Sequence, residues 1–448
     1  WGVLNMKKLW AFIFTVVMIG ALAGCGNSGG GETPGGSNSP GNSATGDAGK
    51  PVELRLWTFL NPEQQDDPRS AALKSIVASF NASQSDIKVS VESVHFSKID
   101  SQVIQATASG GGPDILNVYT DLLKMHTEAK TIQPITKYAA EWLAQEGQDD
   151  YIYSADQLKL NGEIMAMPWE ARVFTLFYRK DLYDAAGLKA PETLPELLAA
   201  SKQVGDSNRL GFAVGMSEGA NAASFMETYI PILRAAGGQM FDADGKAVFN
   251  DDAGVKAIAF LKDMVDSGAM NNQTISMTAD DITSGLKAGN IATAVSGTMR
   301  ASAIRGSEVG QNIMTTPVPP FEKGQPAPTM VAGQTLAIGA NTKHPDQAWE
   351  FIKYYLSKES QIKWAEAGVM PVLSSAYEDA AVTALPNYEE LLRWKQEASQ
   401  SGQIVFYPAD YTLLSTDLAK AAQRIIFQNA PAKETLDAVA GNYNAGKK

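Results

Sequence analysis

Gly215-Met216-Ser217-Glu218-Gly219 directly follows an apolar run and satisfies the GxSxG spacing of a nucleophile elbow, where a sharp turn exposes a serine hydroxyl. Such a serine needs an acid and a histidine later in the chain, and only His344 follows it. His344 falls in the loop Asn341-Thr342-Lys343-His344-Pro345-Asp346, just before a helical pattern. A secreted hydrolase using Ser217 and His344 is therefore the secondary reading. Metal chemistry has less support. His95, His126 and His344 are too scattered for HExxH spacing, and the single cysteine, Cys25, makes neither an intramolecular disulfide nor a thiolate zinc site. Asp242-Ala243-Asp244-Gly245 opens like a calcium loop, but Ala247 and Ala253 stand where that loop needs its glycine and its bidentate carboxylate. A hairpin turn is expected there. Gly110 to Gly112 lack a following Gly-Lys-Ser/Thr and form no phosphate loop. No cofactor and no metal is expected.

The chain that must position these groups has 448 residues, 44% of them hydrophobic and 19% charged, enough for two or three domains. Formal net charge is −12, which gives a polyanionic nucleic acid no basic footprint to bind.

The first fifty residues read as an address. Trp1 to Asn5 precede the plausible initiator Met6 and look like an upstream start. Met6-Lys7-Lys8 is a basic opening, and Leu9 to Ala23 is an uncharged, mainly apolar run of 15 residues. A bilayer-spanning helix needs roughly 20, so the run fits a signal segment. It ends in Leu22-Ala23-Gly24-Cys25, which resembles the lipobox of bacterial lipoproteins. That resemblance implies a signal peptide over 1–25 and a thioether-linked diacylglycerol on Cys25. Residues 26–50 are Gly, Ser, Asn and Pro with little else, and should form a flexible tether. The first fifty residues hold three lysines against Glu32 and Asp47, so residues 51–448 carry −13.

In that body, Val52, Leu54 and Leu56 alternate as a strand ending at Trp57-Thr58-Phe59. Leu73, Ile76, Val77 and Phe80 make a helical stripe, Ile87, Val89 and Val91 a second strand, Lys98 to Ala108 a helix, and Asp114 to Val118 a third strand. Strands alternating with helices at this spacing imply an α/β fold with a parallel, doubly wound sheet. Ligands of such sheets sit beyond the carboxyl ends of the strands, which selects Trp57, Thr58 and Tyr119-Thr120-Asp121 on position alone. Further on, two strand-like runs flank Pro168-Trp169-Glu170. Strands are expected at Leu210 to Val214, Ile291 to Val295 and Gln334 to Gly339. One helix carries Leu194, Leu197 and Leu198 on one face. Another, Asp251 to Asp266, should turn Val255, Ile258, Ala259, Leu261 and Val265 inward. Asp346 to Leu356, 359–367 and 413–428 also read as helical.

Several segments together resemble the extracellular solute-binding proteins of bacterial ABC importers, in the sugar-binding family that includes maltose-binding protein. They are GEIMAMPWEARVFTLFYRKDLYDAAGLKAPETLPELL, FDADGKAVFNDDAGVKAIAFLKDMVDSGAM, GLKAGNIATAVSG and VAGQTLAIGANTKHPDQAWEFIKYYLSKESQIKWAEAGVMPV. No one of them is diagnostic; their order and spacing are. The resemblance implies a two-lobed periplasmic-binding-protein-like fold (type II), with crossover strands joining the lobes and a ligand cleft between them. The N-lobe would be 51–168 with 325–372, and the C-lobe 173–320 with 373–448. Hinges would fall near 169–172, 321–325 and 372. The function implied is non-enzymatic: a lipid-anchored monomer on the outer face of the cell membrane, extracellular or periplasmic. It would capture a sugar or oligosaccharide by hinge closure and deliver it to ABC permease subunits. A same-fold binder of another solute, such as a glycerol phosphodiester or a polyamine, is a third reading.

A sugar offers apolar C–H faces to aromatic rings and hydroxyls to carboxylates, amides and guanidinium groups. Trp57 could be one platform. Trp169-Glu170, at the implied crossover, would pair a ring with a hydroxyl acceptor, and Arg172 sits where the family often places a polar ligand group. Asp121 matches an acidic sugar-binding position. Thr298-Met299-Arg300 follow Ser296-Gly297 where many relatives have a stacking tryptophan, so Met299 here departs from maltose-like specificity. Gly333 and Gln334 offer a backbone or amide contact. Tyr407 and Tyr411 precede the late helix where relatives place an aromatic residue.

Overall fold

The computed structural model describes residues 50–446 apart from 65, 97, 148–149, 219–221, 243, 401 and 409. The signal segment, Cys25 and residues 26–49 lie outside the described residues. From Lys50 onward the chain forms one α/β unit. No helix among the described residues is long and apolar enough to cross a membrane.

Strand β1 (Val52–Thr58) buries Leu54 and Leu56 and pairs in parallel with both β2 (Ile87–Ser93) and β3 (Ile115–Tyr119). The helix Pro68–Ser83 makes the first crossover. It starts on Asp67, whose carboxylate accepts from the Arg69 N–H at 3.1 Å, with Pro68 preset for the first turn. Its buried face is the expected stripe of Leu73, Ile76, Val77 and Phe80. Helix Ile99–Ala108 makes the second crossover.

Beyond β3 the sheet departs from the all-parallel expectation. Strands β4 (Met167–Arg179), β5 (Thr293–Gly297), β6 (Ile313–Thr316), β7 (Met330–Ile338) and β8 (Gln403–Ile404) complete it, in the order β2-β1-β3-β7-β4-β5. Strand β6 is also paired to β4, and β8 to β7. Strand β7 runs antiparallel to β3 and β4 because the chain re-enters the sheet from its opposite end. The result is a mixed sheet whose central strands are buried on both faces.

The two runs expected around Pro168-Trp169-Glu170 are one 13-residue strand, β4. Its register against β7 shifts between Pro168, opposite Thr335, and Glu170, opposite Gln334. Pro168 has no N–H for the ladder, and a bulge is where a central strand tolerates proline. Trp169 is the extra residue. Its ring enters the core 4.3 Å from Trp364 and edge-on to Tyr355 at 5.3 Å, and its indole N–H donates to Asn117 Oδ1 at 3.2 Å. Gly333 lies opposite the bulge with φ +150°, where a Cβ would meet the Glu170 carbonyl oxygen at 2.0 Å. Only glycine fits that approach. Nearby, the buried Gln361 donates from Nε2 to the Trp169 carbonyl at 3.2 Å and accepts from the Val372 N–H at 2.8 Å.

Leu210 to Val214 is not a ladder strand. It makes only isolated parallel bridges, Leu210 to Ile291 and Ala213 to Ala294. In helix Asp252–Asp266 the inward face is Ala257, Ile258, Phe260, Leu261 and Met264, whereas Ala259 is exposed and Val255 and Val265 are half-buried. Phe260 and Met264 are larger than Ala259, and the helix is turned to bury them. Helices Ala223–Ala235, Tyr388–Gln400 and Ala432–Ala445 were not expected. One large apolar cluster holds Leu73, Ile115, Trp169, Phe351 and Trp364, and a second holds Phe212, Tyr229, Leu261, Leu418 and Leu436. The crossover strands contribute to both, through Val331 to the first and Ala332 to the second.

Candidate ligand site

Across β3, β7 and β4 the register places Tyr119 opposite Gln334 and Gln334 opposite Glu170. Opposed residues of an antiparallel ladder share a face, so these three polar side chains form a row across the centre of the sheet. Arg172, two residues along β4, projects from the same face as Glu170. Its Nη2 donates to Glu170 Oε2 at 3.0 Å and its Nε to Oε1, a bidentate pair with both residues buried. The guanidinium carbon lies 5.6 Å from the centre of the Tyr119 ring, which itself stacks on Phe59 at 5.6 Å. Burial pulls the Arg172 pKa down, but Glu170, with Tyr119 and Asp121, outweighs it and holds the guanidinium above its ordinary value. Burial raises the Tyr119 phenol, against the opposing charge of Arg172.

Immediately after β3, the 3-10 turn Thr120–Leu122 brings Asp121 to the end of this row. Burial pushes the Asp121 carboxyl up to about 6, opposed by its own backbone N–H and by Arg172. Asp121 Oδ1 and Thr120 Oγ1 are buried with no hydrogen-bond partner, and so are both amide atoms of Gln334, which is 0% exposed. Buried polar atoms are almost always bonded, and each orphan costs about 1–3 kcal/mol. These four atoms all lie within two residues of the facing pair Tyr119 and Gln334. Such a concentration is suited to a bound polar molecule that offers both donors and acceptors.

A cavity of about 280 Å³ reaches the row at Glu170, and Asp67, Arg69, Met299, Met370 and Trp394 are among its walls. Arg69 bonds Asp67, with Nε to Oδ1 at 3.2 Å. Met299 stands on the 3-10 turn Thr298–Arg300 that follows β5, and its neighbour Arg300 clamps Glu227 with bonds of 2.9 and 3.0 Å. Arg69, Arg172 and Arg300 are thus each matched by a carboxylate. Tyr407 and Tyr411 stack ring on ring at 3.6 Å, and the Tyr407 N–H donates to the Asp121 carbonyl at 2.6 Å.

The structure therefore gathers Asp121, Glu170, Arg172, Gln334, Tyr407 and Met299 around one region, and two of the expected platforms leave it. Trp169 is the bulge residue in the core. Trp57 is 8% exposed and packs with Leu116 and Val118, on the face of β1 opposite to Leu54 and Leu56. Strand alternation sends it there. Tyr411 is buried and its ring is covered by Tyr407. Gly333 serves the bulge. Ser217 and His344 sit in separate surroundings. The Ser217 N–H donates to the Met277 carbonyl, whereas the His344 N–H is held by Thr342, whose hydroxyl bonds Asp114 before β3. The Gly245 N–H donates to the Asp242 carbonyl and Phe241 bridges Ala247, as in the expected hairpin turn. Sequence reasoning missed Glu227, whose helix carries Pro231 in its interior and has no side-chain cap to announce it. It also missed Asp67 and Arg69, although an aspartate before a proline is a readable helix start.

The sequence profile of the family described as "Bacterial extracellular solute-binding protein" matches residues 65–362. A Deinococcus radiodurans protein named "Probable ABC transporter-binding protein" is 26% identical over 246 residues, covering 52% of this chain and 57% of its own length. The chain thus spans little more than half of that relative. The "Multiple sugar-binding protein" of Streptococcus mutans is 22% identical over 321 residues, covering 70% of this chain and 74% of its own. Among solved structures, the cyclic alpha-maltosyl-1,6-maltose binding protein from Arthrobacter globiformis superposes with a TM-score of 0.74 at 22% identity, over 88% of this chain and 98% of that one. At that identity the likeness establishes the two-lobed fold.

Proposed function

The chain belongs to the bacterial extracellular solute-binding proteins, and from that premise we propose that it captures a neutral, hydroxyl-rich solute, a sugar or oligosaccharide, for an ABC importer. The observation that carries this reading is the set of orphaned polar atoms on Thr120, Asp121 and Gln334, in and at the end of the polar row that the cavity reaches at Glu170. Hydroxyls both donate and accept, so one polyol could satisfy the amide, the carboxylate and the threonine together. The Asp67–Arg69, Glu170–Arg172 and Glu227–Arg300 pairs favour an uncharged ligand over a phosphodiester, which calls for uncommitted cations. A polyamine would call for several free carboxylates. The names of the Streptococcus mutans relative and the Arthrobacter globiformis structure point to the same ligand class.

In this reading the N-lobe is 51–168 with 325–372 and the C-lobe 173–320 with 373–448. Asp121 would then touch the ligand from one lobe and Met299 from the other, so binding favours the closed form by its differential affinity. Delivery to permease subunits and anchoring outside the membrane through a diacylated Cys25 complete the proposal. No covalent step is assigned to Ser217.

Calorimetric titration of residues 51–448 with a panel of mono- and oligosaccharides is the direct test. Micromolar binding of at least one sugar is expected. A null result across the panel with tight binding of a polyamine or glycerol phosphodiester would overturn the ligand class. Ester turnover that disappears in Ser217→Ala would overturn the binding-only reading.

A further inference from the structure

The cavity that reaches Glu170 holds a carboxylate and an aromatic residue together at its floor. Asp66, Ser302 and Ala303 are exposed and stand at its mouth, whereas Glu170, Met370 and Trp394 are buried and form its floor. Trp394, from the helix Tyr388–Gln400, is the one aromatic residue lining the cavity among the described residues. It and Glu170 are each 2% exposed, so a ligand meets both only at full depth. The pairing of a ring with a hydroxyl acceptor expected of Trp169-Glu170 fails, because the bulge residue Trp169 has its ring against Trp364 in the core. Trp394, far along the chain, returns an aromatic residue to the cavity that Glu170 lines.

The orientation of this indole is fixed by a chain of hydrogen bonds. Its N–H donates to Thr315 Oγ1 on β6 at 3.3 Å. A hydroxyl has one proton to give, and that of Thr315 goes to Glu390 Oε1 at 2.5 Å. Glu390 Oε2 accepts from Arg305 Nη2. Arg305 ends the helix Ala301–Arg305, whose Ser302 and Ala303 stand at the mouth of the same cavity. Glu390 itself is buried, four residues before Trp394 and on the same helix face. One carboxylate thus ties the floor tryptophan to the helix at the mouth, and such a connected network holds a single rotamer. With its N–H turned to Thr315, the indole leaves a ligand its carbon surface, which suits the C–H face of a sugar ring. We infer that Trp394 is the specificity-determining aromatic residue of this site, meeting the apolar face of a sugar whose hydroxyls reach Glu170, and that Glu390 is the positioning residue that sets its indole. This rests on the sugar reading above.

The test uses residues 51–448, titrated calorimetrically with a panel of mono- and oligosaccharides. For the sugar that binds most tightly, Trp394→Leu should lose about tenfold or more in affinity, and Trp394→Phe about threefold or less. Trp57→Phe, on a residue remote from the cavity, should stay within about twofold of the wild type. Full affinity in Trp394→Leu overturns the contact and leaves the sugar reading standing. Binding of no sugar by the wild type overturns the sugar reading itself. Glu390→Ala should weaken binding about fivefold and move the Trp394 indole resonance in a nitrogen–proton correlation spectrum. Glu390→Gln, whose amide oxygen still accepts from Thr315, should restore both. Unchanged affinity with an unmoved resonance in Glu390→Ala overturns the positioning role. If Trp394→Leu does not fold, 5-fluorotryptophan incorporated into the wild type decides the contact. The fluorine resonance that Trp394→Phe deletes should shift at saturating sugar, and a resonance that stays in place overturns the proposal.

Discussion

Arg172 holds the carboxylate of Glu170 from two residues further along the same strand, and both groups are buried in β4. A pair of this kind stabilises little on balance, because desolvation offsets the attraction, but removing one partner strands the other. Arg172→Ala should therefore cost about 3–5 kcal/mol of stability, read by urea denaturation. Arg172→Ala combined with Glu170→Ala should recover part of that loss, and a double variant no more stable than the single one would show the pair is not coupled.

Gln334 gives the opposite sign. Its amide is buried without partners, so Gln334→Leu removes two orphaned atoms and fills a similar volume. The unliganded protein should become more stable by about 1–3 kcal/mol. Ligand affinity should fall at least tenfold by calorimetry. A variant that is both less stable and fully competent to bind would refute the role given to this amide.

Asp121 should make binding depend on pH. Its carboxyl stands at about 6 against an ordinary 3.8, raised mainly by burial, so between pH 3.8 and about 6 the folded protein holds a proton that the unfolded chain would release. This favours the fold at low pH, and the benefit is lost as pH rises through 6. A ligand hydroxyl donating to the carboxylate needs the ionised form and reverses that preference. Affinity should fall about tenfold between pH 7.5 and 5, and Asp121→Asn should bind more weakly at pH 7.5 with a nearly level profile. The measurement is a pair of pH titrations of Kd.

Gly333→Ala should be severely destabilising, because the new methyl would strike the Glu170 carbonyl at a backbone angle that L-residues rarely adopt. A loss above about 2 kcal/mol is expected by thermal denaturation, and Gly324→Ala, in open space, controls for φ alone.

What could be read from the sequence followed from local periodicity. The alternation at Val52 to Leu56 and the stripe from Leu73 to Phe80 each report their own element, and the resemblance supplied the two-lobed arrangement. Ladder direction was not legible, since nothing within Met330 to Ile338 says from which end the strand enters the sheet. Nor was the destination of Trp169. Strand alternation alone does not announce that Trp169 is an extra residue, and the bulge that makes it one has Gly333, far along the chain, against the Glu170 carbonyl. Asp121 was accessible from position and Gln334 from the resemblance. Their lack of partners is a property of the packed structure, invisible before packing is known.

Gln361 ties the Trp169 carbonyl to the Val372 amide, so one side chain spans two of the three segments expected to bend when the halves close. Neither segment can shift without pulling on the helix Lys358–Glu366 that carries it. Glu359 is exposed on that helix. A fluorophore attached there through an engineered cysteine would report movement in either segment by a change of intensity, turning this protein into an optical sensor for its own ligand.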